Sequence, residues 1–262
     1  MSWQKTIGRV SFINCEPLFY GLESTWKVLP APPAWLTGHL LRRDCILAPI
    51  PAADYAKNAD KLVLVPDLAI SSRGEVGSVL LFGKTKMEEM SSIALPSDSA
   101  TSVALLKYLI QNKGYEPDFV EMGPDLHGML DECDGCLLIG DRALESARDY
   151  PELVKLDLGL EWKNVSGHPM VFGVFAARRD SDISQVKEAY DALIERLVDF
   201  ETDLSVRSDV IKSSCIKSSQ NSERLERYFG EVINRIDTDD FNGLKAFLKN
   251  ACGMKEEIKM AW

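Results

Sequence analysis

The chain has 262 residues, of which 45% are hydrophobic and 27% are charged, and its formal net charge is −10 at pH 7. This composition is ordinary for a folded globular protein, and the negative charge argues against binding to nucleic acid or to anionic membrane surfaces. Because the chain as a whole repels anions, a negatively charged ligand would need backbone dipoles or a few placed cations.

The first residues lack the apolar run of a signal peptide, and no apolar window is long enough for a transmembrane helix. The six cysteines are scattered and are expected to be reduced thiols, which favours a cytoplasmic location. Cys133 and Cys136 form a CxxC pair, but no second pair lies at the spacing of a zinc site. The motifs GxGxxG, HExxH and GxSxG are absent, so we expect neither a metal nor a cofactor.

Short apolar runs alternate with helical patterns along the chain, which predicts an α/β fold with largely parallel strands. Strands are predicted at 7–13, 45–49, 62–65, 76–82, 93–95, 119–122, 135–139 and 170–176. From residue 183 onward the chain is expected to be mostly helical. Further helices are predicted at 18–22, 39–43, 54–58 and 101–112.

Two long apolar strands with glycine in or beside them, 78–83 and 171–177, are interpreted as crossovers between two lobes. Residues 1–83 with 173–262 are predicted to form the first lobe, and residues 84–172 an inserted second lobe. Ligands of such α/β proteins bind in the crevice beyond the carboxyl ends of the strands. Several polar turns should therefore surround one cleft: 14–17, 71–78, 97–102, 140–141 and 166–169.

The turn at 97–102 carries the strongest signal for an anion site, because it is rich in hydroxyl groups and runs directly into an apolar helix. Backbone N–H groups at a helix start are free to bind an anion. A simple N-cap explains one hydroxyl. The turn supplies four: Ser97, Ser99, Thr101 and Ser102.

Three other positions are candidates, and each has a plainer interpretation beside the functional one. Ser71, Ser72 and Arg73 can bind a carboxylate, or they can form an ordinary turn with an exposed arginine. Asn14 offers amide donors and an acceptor after the first strand, or it caps the helix that follows. His168 precedes the second crossover strand as a general base, or it is a loop histidine without a partner.

Seven stretches of the chain together resemble the chorismate dehydratase family of the futalosine route to menaquinone. The chain departs from the family pattern at Pro51 and Ala52, where the family usually has serines, and at His168, where leucine is usual. The matching stretches are GRVSFINCEPLFYGL at 8–22, LAPIPAADYA at 47–56, PDLAISSRGEVGSVLLF at 66–82, IALPSDSATSVALLKYLI at 93–110, DGCLLIGDRAL at 134–144, LDLGLEWKNVSGHPMVFGVFA at 156–176 and RYFGEVI at 227–233.

The resemblance implies a two-lobed type II periplasmic-binding-protein-like fold with a ligand cleft between the lobes. It implies a carbon–oxygen lyase that dehydrates chorismate, a small dicarboxylate, to 3-[(1-carboxyvinyl)oxy]benzoate in menaquinone biosynthesis without a cofactor. Two alternatives stay open from the sequence. One is a non-catalytic small-carboxylate-binding protein of the same fold, and the other is a related enzyme acting on another small aromatic acid.

The resemblance also implies roles for the candidate residues. Asn14 and Ser78 would flank the reacting carbons and orient the enolpyruvyl group and the departing hydroxyl. The hydroxyls of the 97–102 turn would hold one substrate carboxylate. The other would contact Ser71, Ser72 and Arg73. The ring proton would pass to a substrate carboxylate or to His168.

Overall fold

The computed structural model describes residues 2–262, which contain eleven strands and eleven α-helices. The strands are β1 (Thr6–Val10), β2 (Lys27–Ala31), β3 (Ala48–Pro51), β4 (Leu62–Ser72), β5 (Val79–Gly83), β6 (Ser92–Pro96), β7 (Asp118–Met122), β8 (Gly135–Ile139), β9 (Val154–Asp157), β10 (Met170–Arg178) and β11 (Ile233–Arg235). The helices are α1 (Glu16–Phe19), α2 (Pro33–Leu41), α3 (Ala52–Lys57), α4 (Ala100–Asn112), α5 (Leu126–Glu132), α6 (Gly140–Asp149), α7 (Leu158–Ser166), α8 (Ile183–Thr202), α9 (Leu204–Ser218), α10 (Ser222–Glu231) and α11 (Thr238–Asn250).

The first lobe is built on strands from both ends of the chain. Its four-stranded sheet has the order β11-β4-β10-β3, and β1 and β2 form a parallel pair beside it. A single parallel bridge between Ile7 and Leu47 places β1 next to β3. Because every residue of β3 and all but the last residue of β10 are buried, these strands read as continuous apolar runs rather than as alternating patterns.

The second lobe is built on the five-stranded sheet β7-β6-β8-β5-β9. Its central strands β5 and β8 are buried along their whole length. The division expected at residue 83 assigned β5 to the first lobe, but β5 pairs with β8 and β9. The sheets place the passage from the first lobe to the second between Ser72 and Val79, and the return between α7 and β10.

The expectation of largely parallel strands is wrong for the strands next to the two passages. Only β1–β2, β6–β7 and β6–β8 pair in parallel, whereas β10 runs antiparallel to β3 and β4, and β5 runs antiparallel to β8 and β9. A strand that enters a sheet from the other lobe arrives from the cleft edge, so it runs opposite to the strands that end there.

The hydrophobic core explains why the predicted helix at 101–112 forms. The buried face of α4 carries Leu105, Leu106, Leu109 and Ile110 at helical spacing. Complete burial of each such side chain stabilises the fold by about 1.5–3 kcal/mol. The helix starts at the cavity described below, so its packing also fixes the position of its first turn.

The cysteines of residues 2–262 are all free, and both members of the CxxC pair are buried. Burial raises the pKa of the Cys136 thiol to about 12, so this thiol stays protonated. No three His, Cys, Asp or Glu side chains within these residues are grouped as metal ligands. None of the described helices is both long enough and apolar enough to cross a membrane.

Candidate active site

A narrow cavity lies between the two lobes, where strand ends of both sheets meet. The volume of the cavity is about 60 Å³. Its polar side chains are one amide and four hydroxyls, and no charged side chain of the described residues lines it. The lining residues are Val10, Phe12, Asn14, Pro33, Pro49, Ile50, Pro51, Ile70, Val76, Ser78, Val79, Ser99, Thr101, Ser102, Ile139, Gly140, Phe172, Gly173 and Val232.

Asn14 contributes the amide. It lies in a single 3-10 turn, Ile13–Cys15, that follows β1, and only 9% of the residue is exposed. The Oδ1 atom of Asn14 is buried and has no hydrogen-bond partner within residues 2–262. A buried polar atom without a partner is costly unless a ligand or a water molecule meets it. The amide is therefore positioned to meet a polar group in the cavity rather than to cap α1.

The first turn of α4 contributes three of the four hydroxyls, those of Ser99, Thr101 and Ser102. Ser99 precedes the helix, but its side chain makes no capping hydrogen bond. The N–H groups of this turn have no intrahelical acceptor, and the helix dipole favours negative charge beside them. Ser97 is exposed and does not line the cavity.

Ser78 contributes the fourth hydroxyl from the passage between β4 and β5. Its backbone oxygen accepts a hydrogen bond of 2.7 Å from the Gly140 N–H group. The Ser78 Oγ atom accepts a hydrogen bond of 3.0 Å from the Tyr228 hydroxyl group and lies 3.4 Å from the Val76 oxygen. Tyr228 was not among the predicted site residues, although it lies in the family stretch RYFGEVI.

Five of the predicted site residues lie outside the cavity lining: Ser97, and the four residues Ser71, Ser72, Arg73 and His168. The Ser71 hydroxyl group lies 3.4 Å and 3.2 Å from the backbone oxygens of Ile233 and Arg235 on β11, where it can donate to them. The Ser72 hydroxyl donates to the Gly74 oxygen within its own loop. These serines therefore hold backbone in place, and they do not contact the cavity as the sequence suggested.

Arg73 and His168 also point to other parts of the molecule. The Arg73 guanidinium forms ion pairs with Asp237 and Asp240, at 2.5 Å and 3.1 Å, at the start of α11. The Cβ atom of His168 lies beside Gly243 on the same helix, so the ring does not line the cavity. Neither a carboxylate role for Arg73 nor a base role for His168 is supported by these placements.

Two acids stand just behind the cavity wall. Burial raises the pKa of Asp141 from 3.8 to about 6, and a hydrogen bond from the Ile13 N–H group opposes this rise. Burial also raises the pKa of Asp98, and the nearby Arg142 guanidinium opposes it. Both terminal nitrogens of Arg142 lie 2.9 Å from Oδ2 of Asp98, so this guanidinium is already paired.

Gly140 allows the start of α6 to approach the cavity. Its φ is +61°, and a Cβ atom at this position would lie 2.5 Å from the ring of Phe12. Only glycine combines this backbone conformation with such a close approach. The start of α6 therefore lies at the cavity, where Gly140 is part of the lining.

Three hydrogen bonds cross between the lobes around the cavity. In each of them a backbone N–H group of the first lobe is the donor. The pairs are Ile13 N with Asp141 Oδ1 at 3.1 Å, Ala34 N with the Asp98 backbone oxygen at 3.3 Å, and Ala53 N with Thr101 Oγ1 at 3.1 Å.

The fold is that of a two-lobed periplasmic-binding-protein-like protein with its cavity between the lobes. The structure of the gene product CA3427 from Candida albicans, described as having the generic periplasmic binding protein fold, aligns with a TM-score of 0.68 at 13% identity, covering 96% of this chain and 91% of that one. Protein AF1704 from Archaeoglobus fulgidus aligns with a TM-score of 0.76 at 20% identity, covering 95% of this chain and 97% of that one. These similarities concern the fold alone.

Sequence similarity then identifies the family. Residues 5–252 match the family model described as menaquinone biosynthesis. The chorismate dehydratase of Thermus thermophilus is 31% identical over 258 residues, which cover 92% of this chain and 93% of that protein. The chain belongs to the menaquinone biosynthesis family and is an enzyme of that family. The family and the fold predicted from the sequence are thus confirmed.

Proposed function

We propose that the chain is a hydro-lyase that dehydrates chorismate to 3-[(1-carboxyvinyl)oxy]benzoate in the futalosine route to menaquinone. The observation that carries the proposal is the unpaired Oδ1 atom of Asn14 in a cavity whose other polar side chains are hydroxyls. The relative from Thermus thermophilus bears the name of this activity. The free cysteines fit a reducing compartment such as the cytoplasm.

The reaction does not require a strong acid, base or nucleophile from the protein. A ring C–H bond and the ring C–OH bond break, the C–H electron pair completes the aromatic ring, and the proton and the hydroxyl leave as water. Because the product is aromatic, the enzyme needs chiefly to position the substrate and to stabilise developing negative charge. Neutral amide and hydroxyl groups are suited to this task.

The ends of the dianionic substrate need separate sites. One carboxylate would accept hydrogen bonds from the first turn of α4, with Ser99, Thr101 and Ser102 around it. The other would lie at the start of α6, beside Gly140. This assignment replaces the predicted contact with Ser71, Ser72 and Arg73. Two helix starts supply the positive potential that the negative chain otherwise lacks.

Asn14 and Ser78 would then lie at the reacting end of the ring. The Asn14 amide would orient the enolpyruvyl group, and the Ser78 hydroxyl would donate to the departing hydroxyl. Since no carboxylate or imidazole of the described residues lines the cavity, a carboxylate of the substrate itself is the nearest proton acceptor. The lobes would part to admit the substrate, because a free volume of about 60 Å³ is too small to hold chorismate.

The direct test is incubation of the purified chain with chorismate, followed by ultraviolet absorption of the aromatic product and its mass. We expect a product smaller than chorismate by one water molecule. Tight binding without any change in mass would favour a carboxylate-binding protein instead. Turnover of another aromatic acid, with none of chorismate, would favour the related enzyme.

A further inference from the structure

Tyr228 on α10 is fully buried, and its hydroxyl group contacts the cavity-lining residue Ser78. Its side chain has 0% exposure, and its hydroxyl oxygen lies 3.0 Å from Ser78 Oγ. Ser78 lines the cavity and Tyr228 does not. The two residues are 150 positions apart in the chain, so the contact joins the C-terminal helices to the passage between the lobes.

The direction of this hydrogen bond determines what Ser78 can do. A phenol has one proton to donate, and here it is donated to Ser78 Oγ. The other contact of the Ser78 hydroxyl, with the Val76 oxygen, is 3.4 Å long, well beyond the usual length of about 2.8 Å. The proton of Ser78 is therefore weakly held by the protein and is free to turn towards an oxygen atom in the cavity.

The turn that carries Ser78 is held rigidly. The Asp157 carboxylate accepts hydrogen bonds from the N–H groups of Val76, at 3.0 Å, and Gly77, at 2.8 Å. Gly77 has φ of +65°, and a Cβ atom there would lie 2.4 Å from the Arg224 and Glu231 side chains of α10. Helix α10 thus packs directly on the turn, which fixes the separation of Tyr228 and Ser78.

We propose that Tyr228 is a positioning residue that directs the hydroxyl proton of Ser78 towards the departing hydroxyl of the substrate. The inference rests on the proposed function and adds a role to it. A donor held in place before the reaction stabilises the oxygen on which negative charge develops, and it needs no reorganisation when the bond breaks.

The surroundings of Tyr228 keep it in the donating form. Burial raises the pKa of its hydroxyl well above the usual range for tyrosine, and the bond with Ser78 acts in the opposite direction. The phenol therefore stays protonated throughout the pH range of an enzyme assay. A loss of rate on its removal would accordingly be the same at every pH tested.

The test is a double-mutant cycle with Tyr228→Phe, Ser78→Ala and the combined variant, assayed for chorismate turnover. We expect kcat to fall about tenfold or more in Tyr228→Phe, the effect of one lost hydrogen bond in the transition state, with KM little changed. The combined variant should be no slower than Ser78→Ala, because the phenol acts only through the serine. Additive losses would overturn the inference.

A matched control separates positioning from stability. Tyr55 is also fully buried, and its hydroxyl accepts a hydrogen bond from the Lys259 N–H group, away from the cavity. Tyr55→Phe should lower the melting temperature at least as much as Tyr228→Phe while retaining the wild-type kcat.

The outcomes also distinguish this inference from the proposed function. A wild-type chain that neither binds nor converts chorismate would overturn both. Turnover by the wild type with an unchanged kcat in Tyr228→Phe would overturn the positioning role alone. Binding of chorismate by the wild type without conversion would also overturn both, because no hydroxyl would then depart.

Discussion

The hydroxyl oxygen of Thr101 lies 3.1 Å from the backbone nitrogen of Ala53 and accepts its hydrogen bond. Thr101 opens α4 of the second lobe, and Ala53 lies in the first turn of α3 in the first lobe. One side chain therefore both lines the cavity and ties the lobes together. Ligand binding and lobe closure should consequently depend on each other at this position.

We expect Thr101→Val to weaken chorismate binding about tenfold, because the closed form loses one hydrogen bond and leaves the Ala53 N–H group without an acceptor. Thr101→Ser retains the acceptor and should bind nearly as the wild type does. Calorimetric titration measures both. Equal affinities of the valine and serine variants would show that the bond does not contribute to closure.

We expect Asn14→Ala to lower kcat for chorismate about 100-fold, the usual effect of removing one group that stabilises the transition state. Because Asn14 Oδ1 has no partner among residues 2–262, its loss breaks no hydrogen bond there at that atom, so thermal stability should change little. Turnover and melting temperature should be measured on the same sample. Asn164→Ala, on an exposed part of α7, serves as the control. A variant of Asn14 with full activity would contradict its central role.

We expect Asp141→Asn to be more stable than the wild type at pH 7, by up to about 3 kcal/mol. The pKa of Asp141 in the folded state, about 6, lies above its ordinary value of 3.8, so this group has no effect at low pH and destabilises the fold progressively as the pH rises from about 4 to 6. Asparagine still offers an oxygen to the Ile13 N–H group but does not titrate. Urea unfolding at pH 4, 5, 6 and 7 measures the difference, which should vanish at the lowest pH.

We expect Arg73→Ala to destabilise the fold by about 2 kcal/mol while leaving KM for chorismate unchanged. The reason is that Arg73 pairs with Asp240, which has 0% exposure, rather than with a ligand. Arg207→Ala, which breaks an exposed pair with Glu226, should cost less than about 1 kcal/mol. A raised KM in Arg73→Ala at full stability would restore the carboxylate role.

We expect His168→Leu to retain the wild-type kcat, because the imidazole does not line the cavity. A general base would contribute about 100-fold or more to the rate. Initial rates at several pH values measure the effect. A large, pH-dependent loss would return His168 to the list of catalytic groups.

Among the site residues predicted from local patterns in the sequence, about half line the cavity. The positions of the other site residues depend on partners that are distant in the chain. Asn14, Ser78 and the start of α4 follow strand ends, and strand ends of an α/β protein meet at one edge, so the structure brings them together. Arg73 and Tyr228 could not be assigned in this way. Their partners, Asp240 and Ser78, lie 167 and 150 residues away, and no local pattern reveals such pairs.

The strands show the same limit. The apolar runs of β8 and β10 were predicted because both faces of these strands are buried. The edge strand β2 reads KVLPA, with exposed and half-buried residues and a proline, so it carries no strand pattern of its own. It forms because β1 offers it a parallel partner across five paired residues.

The three hydrogen bonds that cross the cavity have an evolutionary consequence. The first lobe contributes only main-chain donors at Ile13, Ala34 and Ala53, and every amino acid except proline supplies such a donor. Side chains on that wall, including Pro51, can therefore change without loss of these hydrogen bonds between the lobes. In the second lobe, two of the three acceptors are side-chain atoms, those of Thr101 and Asp141. Substitutions that adapt the cavity to a new substrate would therefore be tolerated better in the first lobe than in the second.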